Sequence, residues 1–130
     1  MTTPAKNAAK TAPKAKLNVA AAKPFLRFYH SAALRTRMLA VLTALERAPD
    51  PEKHRESLAD LVVELTESGM DYYYLKALKL GKPGFVVEQS ARLAISGAVR
   101  LIGSVSRTFI VRMDAAQLLV VSRHIRELAA

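Results

Sequence analysis

Arg92, Ser96, Arg100 and Arg107 recur at steps of four, four and seven residues. On an α-helix that spacing makes one polar stripe, because residues three or four apart share a face. A row of guanidinium groups can grip phosphate oxygens or pair with carboxylates in bidentate geometry. The chain supplies candidate carboxylates in Glu56, Asp60, Glu64 and Glu67, at steps of four, four and three. The two stripes are expected to pair, within the fold or across a dimer, or to remain solvated faces. An unpaired Arg92, Arg100 and Arg107 would be a polyanion-contact face. A second basic set, Lys6, Lys10, Lys14, Lys16 and Lys23, punctuates "MTTPAKNAAKTAPKAKLNVAAAK", which has no acid. Such lysines can neutralise phosphates without reading a base sequence.

Catalytic chemistry finds little footing. His30, His54 and His124 have neither ligand nor triad spacing to one another, and there is no cysteine for a thiolate, a disulfide or a Cys-based zinc site. The Gly-x-x-x-x-Gly-Lys-Ser/Thr phosphate loop is absent around "GKPG". No cofactor or metal is implied, and the chain reads as a binding protein rather than an enzyme.

Small residues on the arginine-bearing segment, Ala94 with Ala98 and Gly97 with Gly103, suggest close approach of another helix. Two glycines inside a helix cost about 1 kcal/mol each relative to alanine, so a packing purpose is expected for them. "DYYYLKALKLGKPGF" is less promising than it looks as a nucleic-acid platform. Consecutive tyrosines on a helix are about 100° apart and share no stacking face. Tyr74 is expected to turn inward with Leu75 and Leu78, leaving Lys76 and Lys79 outward.

The elements that must position these groups are all helical. A first helix is expected from Pro24 to Pro49, with Phe25, Phe28, Ala32, Leu39, Leu42 and Leu45 inward. A second starts at "DPEKHRE" with Asp50 as N-cap and Pro51 at the first position, and ends at Ser68-Gly69. Its apolar face is Leu58, Leu61, Val62 and Leu65. A short third helix runs from Asp71 to Gly81, and Lys82, preceding Pro83, is pushed out of the α region. The fourth runs from about 83 to 112, with Ala91, Ile95, Ala98, Ile102, Val105 and Phe109 opposite the arginines. "DAAQ" at 114–117 has capping-box spacing and opens the last helix, to about 128. Whether the last two helices form one kinked rod is left open by the absence of Gly or Pro between them. The fold class is thus all-α: a four- or five-helix bundle over 24–130, with a disordered basic tail over 1–23 whose composition cannot bury enough apolar surface to offset ordering.

Charge completes the reading. Residues 1–45 hold eight Lys or Arg and no acid, 46–71 hold eight acids against three bases, and 72–130 hold nine bases against three acids, for a net charge of +9. That balance favours polyanionic partners. No membrane span is expected, since "LAISGAVRLIGSVSRTFIV" carries Arg100 and Arg107. The leading expectation is a cytoplasmic, homo-oligomeric helical protein whose tail contacts nucleic acid or another polyanion. The alternatives are an adaptor that binds a protein through the fourth helix, and peripheral association with an anionic membrane.

Overall fold

The computed structural model describes residues 24 and 27–129, so the tail lysines and Phe25 lie outside the described residues. The protein is all-α, and the described residues contain no strand. In chain order, helix α1 is Ala32–Arg47, a 3-10 turn is Pro51–His54, and α2 is Arg55–Met70. A π turn, Asp71–Leu75, joins α2 to α3, Lys76–Leu80. Helix α4 is Phe85–Ile110 and α5 is Ala115–Leu128.

Helix α1 starts at Ser31 and not at Pro24. The Ser31 hydroxyl accepts from the Leu34 amide at 3.0 Å, satisfying one of the donors a helix start leaves unpaired. Residues 27–30 just before it are non-helical and lay Phe28 against the tyrosines. The inward face shifts accordingly: Leu34, Met38, Leu42 and Leu45 are buried, whereas Ala32 is exposed. Asp50 makes no side-chain cap, because the chain enters α2 through the 3-10 turn with Pro51 in its first position.

The third helix is not separate. Asp71 has φ −60° and ψ −44°, ordinary right-handed helix, so α2 and α3 run as one rod and the described residues form four rods. Gly69 does not break that rod. A ring edge of Phe28 packs over it, 3.8 Å from where a Cβ would stand. The extra residue is absorbed by the π turn, whose wider loop sets two successive tyrosines on one side. Tyr72 and Tyr73 are half-buried beside Phe28, and Tyr74, expected inward, is 59% exposed.

The reversal into α4 uses Lys82 at φ 50°, outside the right-handed region that the following proline disfavours but at a positive φ and not in the extended region, and Gly84 at φ 97°. A turn after Ile110 separates α4 from α5, so the two are not one rod. The predicted capping box is present: Asp114 accepts from the Gln117 amide at 2.8 Å, and the Asp114 amide donates to Gln117 at 2.9 Å.

Helix α2 lies between α1 and α4, and α1 lies between α2 and α5. The hydrophobic core gathers at one end, from α1, Leu58, Ala59 and Leu61 of α2, Ile110 of α4 and Leu118 of α5. Helix α4 therefore packs along α2 at the edge of the row and joins the common core only near its C-terminus.

Candidate docking surface

The side of α4 that faces α2 carries Ile95, Val99, Gly103 and Ile110, at steps of four, four and seven. Gly103 is the point of closest approach. A Cβ there would stand 3.0 Å from a Val63 methyl, closer than ordinary van der Waals contact. The other small residues do not share this role: nothing lies within 4 Å of a Cβ at Gly97, Ala94 is exposed, and Ala98 is partly buried. Of the four residues singled out for helix packing, Gly103 packs on α2, and Ala94 and Gly97 stand on the opposite, open side.

That open side is mainly apolar, with the exposed hydroxyls of Ser90, Ser104 and Thr108 set among its large side chains. Val86 and Val87 begin it, Leu93 is 74% exposed and Leu101 67%, and Ile102, Val105 and Phe109 continue it to the last turn. Part of the face expected to turn inward (Ile102, Val105, Phe109) is thus turned to solvent. The reason is phase: helix α2 takes the stripe running through Val99, which lies between the arginines and that face. At 100° per residue, the open apolar arc covers roughly half of the helix circumference. By length and composition α4 also meets the measure of a bilayer-crossing helix, with a mean hydropathy of 1.3 over its best 18 residues, of which 17% is buried.

The charged stripes divide in three. Arg107 bridges to α2, donating to Glu56 at 2.6 Å and to Asp60 at 2.5 Å. The hydrogen bond to Asp60, ahead of the attraction of both carboxylates, raises the Arg107 pKa above its ordinary value. Arg92 pairs along its own helix with Glu88 at 3.4 Å. Arg100 is exposed and makes no hydrogen bond or ion pair among the described residues. Glu64 belongs to a different partner, Arg37 of α1, which holds it through two guanidinium nitrogens. The two predicted stripes therefore meet at one arginine only; of the three arginines expected as a polyanion-contact face, Arg92 and Arg107 have carboxylate partners and Arg100 has none among the described residues.

Other polar staples hold the core end together. Glu46 accepts from Arg126 at 2.9 and 3.2 Å and from buried Ser122 at 2.7 Å, and the Arg126 bond, partly opposed by burial, pulls the Glu46 pKa below its ordinary 4.5. Arg55 donates twice to the Met113 carbonyl in the turn before α5, at 2.7 and 2.9 Å. Neither group showed itself in the sequence as a cross-helix partner, since their separations are 76, 80 and 58 residues.

A groove of about 600 Å³ lies where α1, α2, α3 and α4 meet. Tyr29 and Tyr72 wall it, with ring centroids 6.0 Å apart, and Lys76 places its ammonium 4.8 Å above the Tyr72 ring. Acids and bases line it together (Glu64, Glu67 and Asp71 with Arg37, Lys79 and Arg92), so it presents no single sign to a ligand. Its Ser31 hydroxyl is spent on the α1 cap, and His30 Nδ1 faces a backbone carbonyl at 3.1 Å. Among the described residues no three His, Cys, Asp or Glu side chains converge as a metal site.

Comparison with protein-family models, with curated proteins and with solved structures finds no match.

Proposed function

We propose that the protein is a non-catalytic helical docking protein whose working surface is the outer face of α4. One observation carries this reading. Seven large apolar side chains from Val86 to Phe109, each 41–74% exposed, lie on one side of a single helix, and contiguous exposed apolar surface of this kind marks an interaction site. Apolar surface of this kind is costly to leave in water, and no other helix among the described residues covers it.

The chain contains no cysteine, which supplies a test. A Leu101→Cys variant carries a single thiol on the face, and Val120→Cys carries one on exposed α5 as a control. Both should react at similar rates with a maleimide in purified protein. In a gently prepared native extract the thiol at position 101 should be protected at least several-fold and the control should not. Equal labelling of position 101 in both settings would sink the reading.

A second reading rests on the net charge of +9 and on unpaired Arg100: contact with nucleic acid through Lys6, Lys10, Lys14, Lys16 and Lys23. Five phosphate contacts predict a slope of about −4.5 for log affinity against log salt. Removing residues 1–23 should abolish most of that slope. A truncated chain that keeps it would move the contact to the folded part.

A further inference from the structure

We propose that the surface on which α4 docks is an anionic lipid bilayer, with the helix lying in the plane of the headgroups. The proposal rests on the outer face of α4 being the working surface, and it names the occupant. Three features select a lipid surface over a second copy of the chain, a folded partner or a nucleic acid.

The first is width. A single partner helix covers a narrow seam, and a core-facing stripe is typically about 100° wide. The open apolar arc of α4 is roughly 180° wide at 100° per residue, from Leu93 round to Ile102. A planar apolar phase wets such an arc along its whole length; one helix does not.

The second is the charge around it. Lys82 precedes the face, Arg100 stands beside its middle and Arg112 follows it, all exposed. The one acid on α4, Glu88, is already paired with Arg92. The acids of α2 near its N-terminal half, Glu56 and Asp60, are occupied by Arg107. The charges free of a partner along α4 and at its two ends are thus basic, while Glu88 and the Glu56–Asp60 pair are engaged by arginines. Long basic side chains at the edge of an interfacial helix lie along its apolar surface and put their heads among lipid phosphates.

The third is composition. Helix α4 is 26 residues, about 39 Å, and its mean hydropathy is that of a bilayer-competent helix. Arg100 and the Arg107 bridge keep it from crossing, since a guanidinium at bilayer depth is strongly disfavoured. Lying flat satisfies both facts: apolar side chains go down, and Arg100 stays level with the headgroups.

The test is flotation of the full chain with vesicles of phosphatidylcholine, alone or mixed with phosphatidylglycerol, alongside sedimentation velocity without lipid. The intact chain should float with the mixed vesicles and not with phosphatidylcholine alone. Leu93→Ser with Leu101→Ser should weaken that binding at least ten-fold, by removing two side chains from the buried face. Arg100→Gln should weaken it roughly five-fold and reduce its salt dependence. All these sites are exposed, so circular dichroism and the melting temperature should match the intact chain and report that each variant is folded. Absence of flotation overturns the proposal. So does equal flotation of the intact chain and the double-serine variant, which would place the attraction in the basic remainder. An oligomer that the double-serine change dissociates, without flotation, gives the face to a second copy; the lipid proposal then falls and the docking reading stands. If neither flotation nor oligomerisation depends on Leu93 and Leu101, and the thiol at 101 is unprotected in extract, both fall.

Discussion

Two glycines in one helix make a paired experiment. At Gly103 a Cβ would stand 3.0 Å from Val63, and at Gly97 it would meet nothing within 4 Å. Gly103→Val should therefore destabilise the fold by about 1–3 kcal/mol through overpacking against α2. Gly97→Ala should be neutral or stabilise it by up to about 1 kcal/mol through helix propensity. Urea unfolding of the two variants measures both, and equal effects would contradict the asymmetry. Glu46 offers a pH test. Its carboxyl is held below the ordinary 4.5, mainly by Arg126, so the folded state binds its proton less readily than the unfolded chain does. The stability it contributes is present above pH 4.5 and is lost as pH falls through the lowered folded value. Glu46→Gln should lower stability at pH 7 and make it flatter below pH 4.5. An unchanged acid limb in the variant would exclude Glu46 as a contributor.

At the scale of elements, the sequence shows most clearly what is written locally. The Asp114–Gln117 box has both its hydrogen bonds, and Asp114→Ala should cost about 1 kcal/mol, measurable as a lower urea midpoint with unchanged slope. Lys82 before Pro83 leaves the right-handed region for a steric reason visible in two letters. Three other features were hidden, each for its own cause. Ser68-Gly69-Asp71 has the letters of a helix stop and cap, yet the rod continues, because Phe28 arrives from 41 residues away to cover Gly69 and pack on Tyr73 with ring centroids 5.9 Å apart. The inward face of α4 was misjudged because several of its arcs are apolar enough to be core, and only the docking of α2 decides between them. The partners of Arg107 were among those expected, whereas Glu64 goes to Arg37, since stripe spacing states which residues share a face and not which face comes opposite.

Across the whole molecule, stability is unevenly distributed. The buried residues of α4 are Val99, Gly103 and Ile110, all in its C-terminal half, while the core proper sits with α1, α5 and the start of α2. Amide hydrogen exchange should therefore be fastest, among helical segments, in residues 85–95, and slowest around Leu42, Leu58 and Leu118. Uniform protection along α4 would mean that its N-terminal half is better supported than its packing indicates. Addition of anionic vesicles should slow exchange over 85–95 selectively if α4 lies on lipid. The all-helical class was legible from periodicity and punctuation alone. The open edge was not, because a sequence pattern marks a side chain as apolar without recording whether another element arrives to cover it.

The π turn has one more consequence, which concerns chain length. It spans Asp71–Leu75 and contains three identical residues, Tyr72, Tyr73 and Tyr74. Deleting any one of the three yields the same chain, so a single codon-sized loss at this point has one outcome and three ways to arise. A π turn is an α-helix carrying one surplus residue, which means the loss can be absorbed by reverting to ordinary winding, with α2 on one side and α3 on the other keeping their mutual phase. Nowhere else in the rod is length so free to vary: one residue removed from the body of α2 would swing Leu58 and Leu61 a quarter-turn out of the core.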